Sequence, residues 1–225
     1  MNLGENFSYY RTGSMKLVAT VGIVLGLVFS NTALGEPVCS YDTYQWSTVE
    51  KRAIDFKKVS HPYSEITDDE RDPVTGCTVC IEDQIQINTP PLKPFYVCKV
   101  VAPEIQQILE GLIYSGEKID HIIGYRVGKT RGDVDHYGNR TKFSNHSYGV
   151  AIDINPEHNG LYDRCIEFGN GCRLIRGGPW RPDEMEQSIK PEGMIVRAFK
   201  ENGYLWGGEI RGRQKDFMHF SLTGY

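Results

Sequence analysis

Apolar residues recur at two spacings along the chain, one typical of helices and one typical of strands. The helical spacing is clearest over residues 103–115, where a proline precedes a stripe made by Ile105, Ile108, Leu109, Leu112 and Ile113. A second helix is predicted to begin with Pro191 and to end at Gly203. A third is predicted to begin at Ser47, because residues 47–50 match a capping box ahead of a modest apolar stripe.

Alternation of apolar and polar residues predicts the strands. It is found in residues 79–87, 122–126 and 149–155, and in a short final strand after Asp216. Residues 60–76, 128–142 and 155–190 are predicted to be loops, and the last of them is long enough to form the wall of a cleft. Few strands, few helices and no βαβ alternation indicate an α+β fold with a small antiparallel sheet flanked by helices.

The segment 149–155 has a polar face as well as an apolar one. Its apolar side consists of Val150, Ile152 and Ile154, which point together to the core as alternate residues of a strand. Asp153 therefore faces a cleft on the other side. The small residues Gly149 and Ala151 share that side and are expected to leave room for a metal ion and a substrate backbone.

The end of the chain repeats this arrangement. His219 is expected to share one face of a short strand with Phe217, while Met218 points to the core. Asp216 lies an odd number of residues before His219, so a regular strand would turn the two side chains apart. Asp216 is therefore predicted to lie on the turn that enters the strand, with its carboxylate placed to act as a general base.

His146, Asp153 and His219 are residue types that bind zinc. Catalytic zinc sites use three protein ligands drawn from His, Asp, Glu and Cys, and they leave a fourth position open to water. These three residues fill that set, so they are the predicted ligands and Zn²⁺ is the predicted cofactor. The other four histidines lack such surroundings in the sequence and are interpreted as solvated or structural.

Three motifs together resemble a known family. Ser-x-His-x-x-Gly-x-Ala-x-Asp at 144–153, Trp-Gly-Gly at 206–208 and Asp-x-Met-His-Phe at 216–220 are similar to the zinc D-alanyl-D-alanine carboxypeptidases of the VanY type, which cleave peptidoglycan peptides. The resemblance covers roughly residues 104–223. It implies the same three metal ligands and a fold of the hedgehog/DD-peptidase kind, in which helices flank a small antiparallel sheet.

The resemblance also implies the catalytic groups. The family's catalytic carboxylate corresponds to Asp216, and its arginine that polarises the scissile carbonyl corresponds best to Arg126. Arg131 and Arg140 lie in the same polar loop and are alternatives to Arg126. The implied reaction is hydrolysis of a peptide bond by water that Asp216 deprotonates, with Arg126 and zinc stabilising the oxyanion.

Ser144, Tyr148 and Trp206 are the predicted substrate contacts, and a peptidoglycan peptide is the predicted partner. Packing is an equally good interpretation of the two aromatic residues, and Ser144 could cap a turn or hydrogen-bond a ligand. A carboxypeptidase needs a group for the terminal carboxylate, and the sequence offers several loop arginines: Arg131, Arg140, Arg164, Arg173 and Arg176.

Two functional alternatives remain beside the carboxypeptidase. One is a cell-wall endopeptidase of the same fold. The other is a non-catalytic module that holds zinc and binds a partner, against which Asp216 argues, because a purely structural zinc site is closed by a fourth ligand.

The N-terminus predicts export. Lys16 precedes an apolar stretch at residues 17–29, and small residues up to Gly35 offer a cleavage site. The stretch is too short to span a membrane, although an uncleaved anchor is an alternative, and Met15 is a candidate initiator. Residues 1–35 are interpreted as a signal peptide, 36–102 as an extension packed on the catalytic domain and 103–225 as the zinc peptidase domain. The expected location is the periplasm, or the extracellular space or cell wall.

All six cysteines follow the predicted signal, and an even number of cysteines in an exported chain predicts disulfides. Cys165 and Cys172 flank a short loop and are expected to pair with each other. The sequence leaves the other connectivities open. Cys77 and Cys80 are also assigned to disulfides, with a redox pair as the alternative.

The charge pattern excludes some partners. The net charge is −4 and there is no basic run, so the chain lacks the electrostatic footprint of a nucleic-acid-binding protein. It also lacks a polybasic segment that would hold it on an anionic membrane. After removal of the signal peptide, the protein is predicted to make no stable membrane insertion. It is also predicted to be a monomer.

Overall fold

The computed structural model of this chain describes residues 35–224. The predicted signal peptide, apart from Gly35, lies outside the described residues. The described part contains two helices, α1 (Ala102–Tyr114) and α2 (Met194–Glu201). Its strands are β1 (Val38–Ser47), β2 (Arg52–Pro62), β3 (Gln84–Ile87), β4 (Phe95–Cys98), β5 (Ile122–Ile123), β6 (Lys129–Val134), β7 (Arg140–Phe143), β8 (Ala151–Ile154), β9 (Leu161–Asp163), β10 (Arg173–Arg176), β11 (Leu205–Trp206), β12 (Gln214–Asp216) and β13 (His219–Ser221).

The architecture is mixed α+β, as the sequence predicted, but the strands form several small sheets instead of one. Their orders are β2-β1-β6-β7, β10-β9-β12, β11-β13-β8-β5 and β3-β4. The strand pairs are antiparallel except for β1 and β6, which are parallel. All strands of the sheet β11-β13-β8-β5 belong to the predicted zinc peptidase segment, residues 103–225. This sheet carries two of the predicted metal ligands, Asp153 and His219.

The main hydrophobic core lies between this sheet and the two helices. The predicted helix at residues 103–115 is confirmed as α1, and its apolar stripe is buried. Ile105 and Leu109 from α1 are fully buried in one cluster with Ile152 of β8 and Phe220 of β13. Burial of apolar side chains at about 25 cal/mol per Å² is the main term that stabilises such a core, so this packing fixes β8 beside β13.

The prediction of a helix that begins at Ser47 is wrong. Residues 38–62 form an antiparallel hairpin, β1 with β2, which we call the N-terminal hairpin. The Oγ of Ser47 does accept a hydrogen bond from the backbone N–H of Glu50 at 3.1 Å, as a capping box requires, but it does so in the turn of the hairpin. Serine side chains stabilise turns in the same way as helix starts, so this motif alone did not distinguish the two.

Other segments also differ from their predictions, and residues 155–190, predicted to be a loop, contain the short strands β9 and β10. Residues 128–142, predicted to be a loop, form the hairpin of β6 and β7, whose polar and half-exposed strands lack apolar alternation. In the predicted strand 79–87, only β3 is extended, after a 3₁₀ turn at Ile81–Asp83. The last helix begins at Met194 instead of Pro191, because residues 190–193 form a turn in which Gly193 N–H donates to Lys190 O at 2.9 Å.

Three disulfides join the six cysteines, and these are Cys39–Cys80, Cys77–Cys98 and Cys165–Cys172. The predicted local pair is confirmed. Cys77 and Cys80 bind different partners, so the alternative of a redox pair between them is wrong. Disulfides of this number are typical of exported proteins. Within residues 35–224, no helix has the length and apolar character needed to cross a membrane.

Candidate active site

His146, Asp153 and His219 converge at one place in the fold. His146 lies in the 3₁₀ turn Asn145–Tyr148, while Asp153 on β8 and His219 on β13 are opposite each other in the antiparallel pair. Oδ1 of Asp153 lies 3.0 Å from Nε2 of His146 and 3.1 Å from Nδ1 of His219. One ligand atom from each residue lies within 4.8 Å of the others, and all three side chains are buried.

The donor set fits a zinc ion. Tetrahedral zinc with bonds of about 2.0–2.1 Å to nitrogen and oxygen holds its ligand atoms roughly 3.3 Å apart, close to the two distances measured to Asp153. Two imidazoles and a carboxylate are ligands that catalytic zinc uses. The described residues therefore contain a candidate metal site of three ligands, as the sequence predicted.

A backbone carbonyl orients His146 for this role. Nδ1 of His146 lies 2.9 Å from Gly124 O, to which it donates, and Nε2 faces Asp153. Ligand histidines commonly use their second ring nitrogen in this way, which fixes the tautomer and the ring plane. Nε2 of His146 and Oδ1 of Asp153, 3.0 Å apart, therefore either share a proton, as a hydrogen bond, or bind one cation together.

Asp153 is ionised in this site. Burial opposes ionisation of its carboxyl group, but the charges of His146 and His219 and their hydrogen bonds outweigh that effect and hold its pKa well below the ordinary value. A buried carboxylate needs such partners, or a metal ion, to offset the cost of leaving water.

Arg126 reaches the same site. Its guanidinium donates to Oδ2 of Asp153 at 3.2 Å, and its backbone N–H donates to His146 O at 3.2 Å. It lies three residues beyond the end of β5, so the predicted strand 122–126 is shorter than expected. The two alternative arginines bind elsewhere, since Arg131 donates to Asn145 at 2.5 Å and Arg140 to Gly132 O at 2.6 Å.

Asp216 is the last residue of β12, where it is paired with Leu161 of β9. Residues 217 and 218 then turn the chain into β13, which begins at His219. The predicted break between Asp216 and the final strand is therefore present, although Asp216 ends one strand instead of lying within the turn. Its side chain is half-buried, with Oδ1 inaccessible to solvent.

Phe217 does not share the side of His219 as predicted, and Met218, although buried as predicted, also borders a cavity. Phe217 is a core residue stacked on Trp180 with ring centroids 3.8 Å apart, whereas Met218 lines a cavity beside Asp153. Gly149 also differs from its predicted role. A Cβ there would lie 2.4 Å from Cys98 N. The missing side chain therefore leaves room for the end of β4, not for a metal ion or substrate.

The predicted substrate contacts lie in packed surroundings. Trp206 is buried in the core, and its indole N–H donates to Phe217 O at 2.9 Å. The Oγ of Ser144 lies 3.2 Å from that of Ser147, and the hydroxyl of Tyr148 donates to Asp69 O at 2.9 Å. None of Ser144, Tyr148 and Trp206 lines the cavity beside Asp153.

That cavity has a volume of about 770 Å³ and is formed by segments distant in sequence. Asp153 and Arg126 line it. The N-terminal hairpin contributes Tyr44 and Trp46, and the end of β10 contributes Arg176. Neither Tyr44 nor Trp46 was a predicted site residue. The alternation of buried Cys39, Tyr41 and Thr43 would have indicated a strand there.

One comparison with known proteins gives a match. A family model described as D-alanyl-D-alanine carboxypeptidase matches residues 138–222. The resemblance inferred from the motifs is confirmed over this segment. It contains His146, Asp153, Asp216 and His219, but not Arg126 or the N-terminal hairpin, and it spans less than half of the chain. No curated protein and no solved structure is significantly similar to the chain.

Proposed function

We propose that this protein is an exported zinc metallopeptidase of the D-alanyl-D-alanine carboxypeptidase type, which hydrolyses peptidoglycan stem peptides. The observation that carries the proposal is the convergence of His146, Asp153 and His219 within the segment matched by the family model. The arrangement is buried but borders a cavity through Asp153, as a site that must admit a peptide requires.

His146, Asp153 and His219 would hold the zinc ion. Three protein ligands leave a fourth position open, which distinguishes this set from a closed structural site. Bound there, zinc would act as a Lewis acid on the peptide carbonyl and lower the pKa of the attacking water. The histidine orientation provided by Gly124 O would keep the ligands in place through the reaction.

Arg126 and Asp216 would carry out the remaining steps. Arg126 has five N–H donors and uses one on Asp153, so others can stabilise the oxyanion that forms when water adds to the carbonyl carbon. Asp216 would accept the proton of the attacking water and then donate it to the leaving amine as the C–N bond breaks. Its position directly before the turn to His219 supports this role.

The remaining features agree with this assignment. Three disulfides suit an oxidising compartment, and we propose the periplasm or the cell wall, where peptidoglycan is found. We also propose that residues 103–225 adopt the hedgehog/DD-peptidase-like fold, that residues 36–102 form an extension packed on this catalytic domain, and that the protein acts as a monomer.

The test is direct hydrolysis by the purified, disulfide-bonded protein. Cross-linked and uncross-linked muropeptides are incubated with the protein, with and without a chelator, and the products are identified by mass. Loss of a single alanine from uncross-linked peptides, abolished by the chelator and restored by zinc, is the expected result. Cleavage only of cross-linked peptides would instead show an endopeptidase, and no cleavage of either class would contradict the proposed function.

A further inference from the structure

Among the loop arginines that could hold a substrate carboxylate, the structure separates one from the rest. Arg131 donates to Asn145 Oδ1 and to Gly224 O, Arg140 donates to Gly132 O, and Arg173 forms an ion pair with Asp163. Arg164 does not line the cavity that borders Asp153. Arg176 does line it, and across residues 35–224 its guanidinium makes no ion pair with a carboxylate.

Trp46 of the N-terminal hairpin positions this guanidinium. Cζ of Arg176 lies over the Trp46 ring at 5.6 Å from its centroid, within the range of a cation–π contact. A cation–π contact attracts the guanidinium charge to the ring face and forms no hydrogen bond with a carboxylate, so the N–H groups can still serve as donors. Those N–H groups can bind both oxygens of a carboxylate at once.

The backbone next to Arg176 packs closely against the segment that follows β8, the strand of Asp153. Gly178 N–H donates to Pro156 O at 2.8 Å, just after the end of β8. A Cβ at Gly178 would lie 1.7 Å from Glu157 O, and a Cβ at Gly160 would lie 2.8 Å from Arg176 O. These close approaches require glycine at positions 160 and 178. They pack the end of β10 against the segment that follows Asp153.

The charges around the cavity favour an anion near Arg176. Glu157 is the other carboxylate on the cavity wall besides Asp153, and it is paired with Nδ1 of His121 at 2.9 Å. Asp153 is bound by Arg126 and both histidines. Arg176 therefore contributes a positive charge whose partner would come from the ligand.

We propose that Arg176, stacked on Trp46, binds the terminal carboxylate of the peptide and thereby makes the enzyme cleave at the free C-terminus. This inference rests on the proposed function, because it assigns the group that recognises the end of the same substrate. A peptide whose scissile carbonyl lies beside Asp153 and Arg126 would place its last residue in the cavity between them and Arg176.

The test compares two acetylated tripeptides that end in D-Ala-D-Ala, one with a free carboxylate and one with a neutral carboxamide. Wild type is expected to prefer the free acid. Arg176→Ala should raise KM for the acid by about 10- to 100-fold, the usual effect of losing a charge-assisted hydrogen bond, and leave the amide nearly unchanged. Arg176→Lys should restore only part of the preference, because lysine cannot bind bidentately.

Two further variants separate this role from a general effect on structure. Arg173→Ala, on the same strand but paired with Asp163, should keep the preference of wild type. Trp46→Ala should raise KM for the acid with little change in kcat, whereas Trp46→Phe should keep most of the preference, because it retains an aromatic face. Equal KM values for acid and amide in wild type, or an unchanged ratio in Arg176→Ala, would overturn the proposal.

A binding measurement keeps this outcome separate from that of the proposed function. Both peptides are titrated calorimetrically into zinc-loaded Asp216→Asn protein, with and without Arg176→Ala. Tighter binding of the acid that disappears with Arg176→Ala supports the carboxylate subsite even if wild type hydrolyses neither peptide. Hydrolysis by wild type without any preference for the acid in either assay would support the proposed function and contradict the role of Arg176.

Discussion

Asp153 and His219 face each other across the β8–β13 pair, with Oδ1 of the aspartate 3.1 Å from Nδ1 of the histidine. Neighbouring strands of a sheet are 4.7–4.9 Å apart, so side chains directly opposite each other meet without any further fold-specific device. The sheet thus sets the distance between two of the proposed metal ligands. His146 completes the set from a separate turn that is anchored by Gly124 O.

His219→Ala should weaken zinc binding by more than about 100-fold. Loss of a residue that only orients a ligand costs 10- to 100-fold, and loss of the ligand itself costs more. Zinc affinity is measured by competition with a chromophoric chelator. His136→Ala, at an exposed histidine outside the ligand set, is the control and should bind zinc like wild type. Tight binding of one zinc by His219→Ala would contradict the ligand assignment.

Asp216→Asn should keep the zinc and lose activity. The amide has nearly the shape of the carboxylate but cannot accept a proton, so kcat is expected to fall by about 10²- to 10⁴-fold, the usual contribution of general acid–base catalysis. Zinc content and the rate of alanine release are measured on the same sample. Asp216→Glu should recover part of the activity, because it restores the carboxylate. A normal rate in Asp216→Asn would remove the base assignment.

The metal ligands could be predicted from the sequence because the signal is local. His146 and Asp153 are seven residues apart in a frame of small residues, and His219 directly follows the Asp216-x-x segment in another short motif. The helix α1 was predictable for the same reason, since its stripe of apolar residues fits within 13 positions. Contacts within one element or one motif involve residues that are close in sequence, so they produce a pattern that the sequence shows directly.

The cavity wall could not be predicted in this way. Trp46 and Arg176 are far apart in the chain, and neither residue type alone indicates that they meet. The N-terminal hairpin was missed because the Ser47–Glu50 hydrogen bond is common to helix starts and turns. Val49, which was counted in the apolar stripe of that helix, is 73% exposed, so burial and not local pattern decided between helix and hairpin.

Gly124→Ala should destabilise the protein and weaken the metal site. A Cβ at this position would lie 2.2 Å from Tyr96 O, a backbone atom that cannot move away cheaply. The expected loss in unfolding free energy is about 2–4 kcal/mol, and displacement of Gly124 O from His146 should lower zinc affinity by about 10- to 100-fold. Both are measured, by urea denaturation and by chelator competition.

Gly111→Ala is the matched control for this substitution. Gly111 lies on the exposed side of α1 and a Cβ there meets no atom within 4 Å. Alanine is favoured over glycine inside a helix, so this variant should gain about 0.5–1 kcal/mol and bind zinc normally. A Gly124→Ala protein as stable as wild type would show that the close approach to Tyr96 is not a constraint.

Removal of the Cys39–Cys80 disulfide should cost more stability than removal of Cys165–Cys172. The two bonds close loops with sequence separations of 41 and 7 residues. The loop-entropy relation gives about 4 kcal/mol for the first and about 2.5 kcal/mol for the second. Double alanine variants of each pair are compared by urea denaturation under oxidising conditions. Equal losses would indicate that native-state packing outweighs the entropy of the unfolded chain.

Glu70 gives the N-terminal hairpin a dependence on pH. Burial opposes ionisation of its carboxyl group. Hydrogen bonds from the Thr67 backbone and hydroxyl, the Tyr41 hydroxyl and His61 outweigh that effect and lower the pKa of Glu70 from 4.5 to about 2. A pKa lowered by folding stabilises the folded state above the unfolded value, and this stability is lost as pH falls toward the folded value.

The unfolding free energy of wild type should therefore fall between pH 4.5 and 2 more steeply than that of Glu70→Gln. At pH 7 the variant should be less stable by about 1–3 kcal/mol, because glutamine cannot satisfy the same donors. Below pH 5 His61, whose pKa is raised by Pro62 O and by Glu70, stays protonated in both states and does not disturb the comparison. Urea denaturation at several pH values measures both, with the exposed Glu192→Gln as control. Parallel curves for wild type and Glu70→Gln would show that Glu70 ionises alike in the folded and unfolded chain.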